Sequence, residues 1–152
     1  MIDIRLASTP EDLAEVYRIR HAVFVAEQQV PVDLERDALD DEADHLLARR
    51  SGEAVGAGRL VAEPAGFADV EASAGPVAHL GRLAVLGTAR GSGLGVGLVR
   101  AIEERARERG LIVLVLSAQV SAIAFSERLG YDAYGPVFDD AGIDHRWMRK
   151  NL

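Results

Sequence analysis

The chain has 152 residues, no cysteine, and 24 acidic against 17 basic side chains, a formal net charge of −7. That length suggests one domain able to bury a core; the missing cysteines exclude disulfides, thiolate zinc sites and a cysteine nucleophile; and the acidic balance argues against a general nucleic-acid surface, which needs a basic face. The N-terminal residues lack the basic-then-apolar build of a signal peptide and no apolar run approaches spanning length, so the expectation is a cytoplasmic protein with neither nucleic acid nor membrane as partner.

Residues 2–7, IDIRLA, alternate and predict a first strand. Thr9-Pro10-Glu11-Asp12 has the build of a helix start, with Thr9 as N-cap, proline in the first turn and acids behind it. Leu13, Val16, Tyr17, Arg20 and Phe24 recur at helical spacing, which predicts a helix to about Val25. Pro31 is a chain breaker, and 33–41 reads as loop or short helix. HLLARR at 45–50 and residues 54–62 form a hairpin around Ser51-Gly52-Glu53. The Ala- and Gly-rich stretch 64–76 reads as surface loop.

Residues 77–86 predict a central strand and 93–109 a helix with Leu94, Leu98, Val99, Ile102 and Ala106 inward, ended by Gly110. LIVLVLS at 111–117 is apolar on both faces, as a buried parallel strand should be. The strand–helix–strand unit is then a right-handed crossover. Residues 120–129 predict a short helix stopped by Gly130, and 131–138 and 143–150 a hairpin over Asp139-Asp140-Ala141-Gly142. The fold class expected is α/β of the mixed α+β kind: a single domain over residues 1–152 on a mixed six- to seven-stranded sheet with helices on both faces.

The stretch HLGRLAVLGTARGSGLGVGLVRAIEERARER, residues 79–109, organises the rest. A strand feeding a glycine loop that opens a helix is a place to hold phosphates, because the first helix amides have no internal partners and the dipole is positive there. Glycines let a bulky anion reach the main chain. A Walker loop would need Lys-Ser/Thr after its last glycine, and Leu98-Val99 supplies neither; a Rossmann G-x-G-x-x-G fails because Val96 and Leu98 fall where glycine is required. What fits is Arg-x-x-Gly-x-Gly, as Arg90, Gly93 and Gly95. The alternative is that these glycines only permit close helix–sheet packing. Acids crowd residues 27–44 while arginines cluster at 82, 90, 100, 105, 107 and 109, the pattern expected if an anion binds at one end of a cleft and a cation near the other. Solvated acidic loops would give the same pattern.

With these motifs the chain resembles the GNAT superfamily of acetyl-CoA-dependent N-acetyltransferases over nearly its whole length. The resemblance rests on the strand Arg82-Leu-Ala-Val, the turn Arg90 to Gly95, and Ala122-x-x-Phe-Ser-x-x-Leu-Gly-Tyr at 122–131. Arg20-His-Ala-Val-Phe-Val-x-Glu-Gln and Asp-x-Gly-Ile-x-His at 140–145 resemble its ElaA-like branch. The resemblance implies that acetyl-CoA is the co-substrate, with no metal, and that the diphosphate sits on main-chain amides of Arg90, Gly91, Ser92, Gly93, Leu94 and Gly95, with a charge-assisted bond from the Arg90 side chain. It implies that the main chain of Leu83, Ala84 and Val85 pairs with the pantetheine arm like an added strand. Gln119 stands where the family often has its pantetheine-binding asparagine, and Phe125 and Ser126 join the same expected contact set.

Acetyl transfer to an amine needs ammonium deprotonation and a stabilised oxyanion, and the thiolate can be protonated as it leaves. By resemblance the oxyanion falls to the Val85 N–H. The other parts depart from the family: Ser126 stands at the usual general-acid tyrosine and Gly81 at the usual strand glutamate. Tyr131 is read as core. Strand alternation would place 79, 81, 83 and 85 on one face, making His79 a candidate base, since histidine titrates near neutral pH; a structural His79 is the competing reading. Glu27 could bind an ammonium or polarise water, and His145 could reach the same opening or cap a strand edge. The expected activity is acetyl transfer to a primary amine of a small molecule or peptide through a ternary complex, with a homodimer possible. Two alternatives stand beside it: a non-catalytic acyl-CoA sensor, suggested by the missing Tyr and Glu, and an acyl-homoserine-lactone synthase-like enzyme, suggested by Arg20, Phe24, Asp37 and Asp40 but opposed by the short chain and the late Trp147.

Overall fold

The computed structural model describes all residues, Met1–Leu152. In chain order the elements are β1 (Ile2–Leu6), α1 (Pro10–Arg20), α2 (Val32–Glu35), β2 (Asp44–Arg50), β3 (Glu53–Glu63), β4 (Val77–Val85), α3 (Leu94–Glu108), β5 (Val113–Gln119), α4 (Ile123–Arg128), β6 (Asp132–Asp140) and β7 (Ile143–Asn151). They form a seven-stranded sheet in the order β1-β2-β3-β4-β5-β7-β6. β4 and β5 run parallel, and β1–β2, β2–β3, β5–β7 and β6–β7 antiparallel, so the sheet is mixed as expected. The chain packs as two compact units, Met1–Val61 with Leu80–Glu104 and Ala62–His79 with Arg105–Leu152; β3 and β4 each contribute residues to both. No helix is long and apolar enough to cross a membrane.

In the first unit, Thr9 caps α1 by accepting the Asp12 N–H at 3.1 Å, with Pro10 in the first turn. The helix does not run on as α-helix to Val25: after Arg20 it widens into a π-helix, His21–Glu27, whose Gln28 N–H reaches back to the Val23 carbonyl. Val16, Ile19 and Val23 pack on Leu47, Ala54, Ala57 and Ala84. On β3, Ala57 turns towards that cluster, and its neighbours Gly56 and Gly58 turn the opposite way. A Cβ at Gly56 would meet Leu98 Cδ1 at 3.1 Å, and one at Gly58 would meet Ile102 Cδ1 at 2.7 Å. Hence α1 and α3 cover opposite faces of the sheet. Gly97 is the matching gap on the helix, where a Cβ would stand 2.8 Å from Ile4 Cδ1 of β1. The predicted inner face of α3 is the observed one, with Leu94, Leu98, Val99, Ile102 and Ala106 all buried.

In the second unit, the end of α3 is a Schellman motif: the Gly110 N–H donates to the Arg107 carbonyl at 2.9 Å and the Leu111 N–H to the Ala106 carbonyl at 3.0 Å. Leu111 is used to close the helix, so β5 starts at Val113, two residues later than its apolar run suggests. Ala141 and Gly142 both have positive φ, +52° and +82°, the requirement of a two-residue type I′ hairpin joining β6 to β7. The loop before β4 carries a left-handed turn at Phe67–Asp69, where Ala68 and Asp69 have positive φ, and a single helical turn at Ala72–Ala74, and Phe67 leans on the apolar cluster of Val70, Val77, Val113 and Val115.

Gly58→Val should destabilise the protein by about 1–3 kcal/mol, as overpacking does, because Ile102 is wholly buried and has nowhere to retreat. Urea unfolding measures the loss.

Candidate active site

The glycine turn lies wholly in the first unit. β4 ends at Val85, and the Leu86 N–H then donates to the Val55 carbonyl of β3 at 2.9 Å. A single helical turn, Gly87–Ala89, tucks in Ala89, whose carbonyl accepts the Ser92 hydroxyl. Gly91 and Gly93 come next, with φ of +81° and +82°, and a Cβ added to either would meet nothing within 4 Å. Packing is therefore not why these two lack side chains. They are glycines because the main chain is left-handed there, and their bare backbone faces open space. The Gly97 N–H donates to the Gly93 carbonyl at 3.0 Å, which makes Gly93 the N-cap of α3. The amides of Leu94, Gly95 and Val96 precede the first such bond and have no carbonyl to reach within the helix. A 15-residue helix points the positive end of its dipole at them.

Arg90 crosses the base of this turn. Its Nε donates to the Val85 carbonyl at 3.0 Å, and its Nη2 lies 3.0 Å from the Glu27 carboxylate. Both side chains of this pair are about half exposed, 48% and 44%. Glu27, at the end of the π-helix, and Arg90 are thus brought together, where the charge pattern suggested opposite ends of a cleft.

The acidic segment is likewise not a free cation-binding face. Arg20 is 1% exposed and donates Nε to Glu35 at 2.9 Å, Nη1 to Asp40 at 2.7 Å, and Nη2 to the Glu35 carbonyl at 2.9 Å. Arg59, opposite His45 in the β2–β3 ladder, donates Nη1 to Asp37 at 2.8 Å and to Asp40 at 3.0 Å. Arg82 on β4 donates Nε to the Glu35 carbonyl at 3.0 Å, lies 3.2 Å from the Glu35 carboxylate, and reaches Asp37 at 3.3 Å. The His45 Nε2–H donates to the Asp40 carbonyl at 2.9 Å. Three guanidinium groups thus face three carboxylates. Burial pushes the Asp40 carboxyl up, but bonds from Arg20, the Asp37 N–H and Arg59 outweigh it and hold it far below the usual carboxylate range. Burial lowers Arg20, and its bonds to Asp40 and Glu35 more than restore it. Burial, with Arg59 and Arg20 as like charges, leaves Arg82 lowered.

Arg82 sits at φ +49°, a left-handed residue inside a strand. The two-residue alternation does not carry through such a residue, so the expectation that 79, 81, 83 and 85 share a face fails at Arg82. Leu83 points to Gly58 of β3. The His79 ring instead meets residues of the second unit. Its Nδ1 lies 2.9 Å from Glu63 Oε2, and its ring centroid is 5.1 Å from Phe67 and 5.6 Å from Trp147. The ladder between β4 and β5 comprises Ala78 opposite Leu114 and His79 opposite Val115.

The other expected site residues of the second unit are Gln119, Phe125 and Ser126. Gln119, half-buried, ends β5 opposite His145 of β7; Phe125 is half-buried on α4, and Ser126 is buried there. His145 Nδ1 bonds the Ile143 carbonyl at 2.8 Å and the ring stacks on Phe138; it lies inside the sheet, paired with Gln119 on one side and Phe138 on the other, and not at a strand edge. Tyr131 is 1% exposed and is core, as expected. The Tyr134 hydroxyl donates to the Ala68 carbonyl at 2.6 Å, and burial pushes it above its ordinary titration range.

The chain matches the Acetyltransferase (GNAT) family over residues 11–131. It belongs to the GNAT family. Among curated relatives, the uncharacterized N-acetyltransferase YjcF of Bacillus subtilis is 33% identical over 147 residues, 96% of this chain and 97% of that one. A solved acyl-CoA N-acyltransferase from Pseudomonas aeruginosa is 29% identical with a TM-score of 0.80, covering 99% of this chain and 98% of its own. Escherichia coli ElaA shares the fold at a TM-score of 0.79 and 23% identity, with 99% of each chain covered. Membership of the GNAT family supports acyl transfer from acyl-CoA as this chain's class of activity.

The paired charges were hidden from sequence reading, although one signal was present: Arg20 falls on the apolar stripe of α1, where a charge needs partners. Glu63 was missed because it stands at the end of β3 beside Pro64, where a loop was expected.

Asp40→Ala should cost about 3–5 kcal/mol, since it leaves buried guanidinium groups without their partner. The wild type carries the matching pH signature. A carboxyl lowered by folding adds stability that is full above its unfolded range, about pH 4, and is lost as pH falls through that range towards the folded value. Urea midpoints should therefore drop from pH 5 to pH 3 in the wild type and drop less in the variant.

Proposed function

We propose that the chain transfers an acetyl group from acetyl-CoA to a primary amine, of a small molecule or a peptide, by direct attack in a ternary complex. The observation that carries this is the turn itself. Two left-handed glycines with open space above them lead into the amides that α3 leaves without internal partners. Neither a packing role nor a plain helix start explains both features, and a diphosphate fits them. Arg90, whose guanidinium meets the Val85 carbonyl and Glu27, would add a charge-assisted bond.

Each role rests on what the group can do. The main chain of Leu83, Ala84 and Val85 is the end of β4, and the pantetheine arm adds to it as a further strand. The Val85 N–H donates to the oxyanion that forms on the acetyl carbonyl oxygen. A thiolate is a competent leaving group without a tyrosine to protonate it, so Ser126 at the family's usual tyrosine position does not stop the reaction.

Gly93→Val should lower CoA affinity at least about tenfold, or about 1.4 kcal/mol, while the protein stays folded; calorimetric titration with CoA measures it. Unaltered affinity would contradict the cradle. In the same preparation, acetyl-CoA and an amine panel should give thiol release that depends on the amine. CoA binding with no release on any amine would favour the sensor instead.

A further inference from the structure

We infer that the outer edge of β1 is a self-pairing surface: two copies of this chain join their β1 strands antiparallel around a two-fold axis at Ile4, which puts Asp3 of each beside Arg5 of the other. The inference concerns the first unit alone and stands whether or not the chain transfers an acetyl group.

β1, Ile2–Leu6, is an end strand of the sheet, with β2 beside it. The Ser51 N–H donates to the Met1 carbonyl at 2.9 Å and the Ala7 N–H to the His45 carbonyl at 2.7 Å, one at each end of the β1–β2 ladder. By the alternation of an antiparallel pair, Asp3 and Arg5 also turn their main-chain groups to β2, and Ile2, Ile4 and Leu6 turn theirs outward. A row of outward donors and acceptors is a template for another strand. The end strand β6 is blunted against such pairing: Pro136 lacks a donor, Gly135 has φ +71°, and the register with β7 shifts between Tyr134 and Phe138. β1 has no proline, glycine or register shift.

The side chains show what fits there. Ile2, Ile4 and Leu6 share the face under α3, where Ile4 Cδ1 lies 2.8 Å from the place of a Cβ on Gly97. Ile2 and Leu6, to either side, are 44% and 39% exposed. Asp3 and Arg5 lie on the other face, Arg5 Nε donating to Asp3 at 2.9 Å, and neither side chain is buried. Arg49, opposite Asp3 on β2, is taken by Asp12 at 2.8 Å.

Charge then decides the register. Outward residues must meet outward residues, so the antiparallel axes that pair more than one of them stand at Asp3, Ile4 or Arg5. An axis at Asp3 sets two aspartates opposite each other, and one at Arg5 sets two arginines, which repel. The axis at Ile4 pairs Ile2 with the partner's Leu6 and Ile4 with the partner's Ile4, each pair exchanging both its main-chain bonds. Asp3 then faces the partner's Arg5 in the closer, non-hydrogen-bonded positions, and the acids and bases of the two strands alternate in a ring. Ile2 and the partner's Leu6 cover each other's exposed carbon. The same patch serves both copies, so assembly closes at two and builds no filament. A strand this short makes a small interface, so the dimer dissociates on dilution.

The test is sedimentation velocity of the full chain from about 1 μM to about 1 mM, on wild type, D3R, R5D, the double variant D3R/R5D, and an equal mixture of D3R and R5D. Wild type should show a reversible monomer–dimer equilibrium. D3R and R5D each set like charges across the axis, and their dissociation constants should rise at least about tenfold. The double variant restores opposite charges and should return close to the wild-type constant. The mixture should associate more tightly than either variant alone, because chains carrying two bases meet chains carrying two acids; that result also shows both variants to be folded. A wild type that stays monomeric throughout would overturn the inference, as would D3R and R5D dimers of undiminished strength, which would put the interface on another surface. A double variant and a mixture no tighter than the single variants would overturn the axis at Ile4. None of these readouts involves CoA, so failure here and failure of the transferase reading are separable.

Discussion

The interaction on which the first unit depends is the buried exchange of hydrogen bonds among Arg20, Arg59, Arg82 and the carboxylates of Glu35, Asp37 and Asp40. Ionised groups lose hydration on burial, and the loss is tolerable only where each meets an opposite charge in good geometry. Here α1, the segment 35–40, β3 and β4 each contribute at least one group, so the pairing is complete only when all four are in place. Such a network gives little net stability compared with an apolar core of the same shape. Its effect is specificity of arrangement: it fixes the acidic segment against the sheet and holds Arg82 by three contacts at a left-handed φ that an arginine would not otherwise adopt.

From Arg82 the consequences run along the chain. The left-handed residue resets the facing of β4, and the strand continues to Val85, where Arg90 folds back onto its carbonyl. The glycines downstream divide the remaining work. Gly56, Gly58 and Gly97 are contact glycines that let α3 lie close on β3 and β1. Gly91 and Gly93 are conformational glycines with nothing near them. One set fixes where the helix is, and the other decides what its N-terminus presents: main chain, unobstructed, at the positive end of a dipole.

Much of this was legible in the residues because it is local. The cap at Thr9, the inward face of α3, the Gly110 stop and the hairpin over Ala141-Gly142 each depend on a few neighbouring side chains. The glycine turn was legible for the same reason, although composition alone could not separate its contact glycines from its conformational ones; that takes the distances. What was not legible is set by residues far apart in sequence. No pattern near Arg82 announces a positive φ, and the acids its guanidinium meets, Glu35 and Asp37, lie some 45 residues earlier. The acids of 27–44 look like a solvated face until Arg20, Arg59 and Arg82 are seen opposite them. His79 could be singled out by its type, but its partner Glu63 is 16 residues away across a loop with no periodicity.

The central claim is that main-chain amides at the start of α3 receive the diphosphate of an acyl-CoA. The most direct measurement is the backbone amide NMR spectrum of the intact chain as CoA is added. The amides of Gly91, Ser92, Gly93, Leu94, Gly95 and Val96 should shift first and furthest, and should do so before any acyl group or amine is present. If those six stay in place while perturbations gather on another surface, the coenzyme is held elsewhere and the account of this turn is wrong.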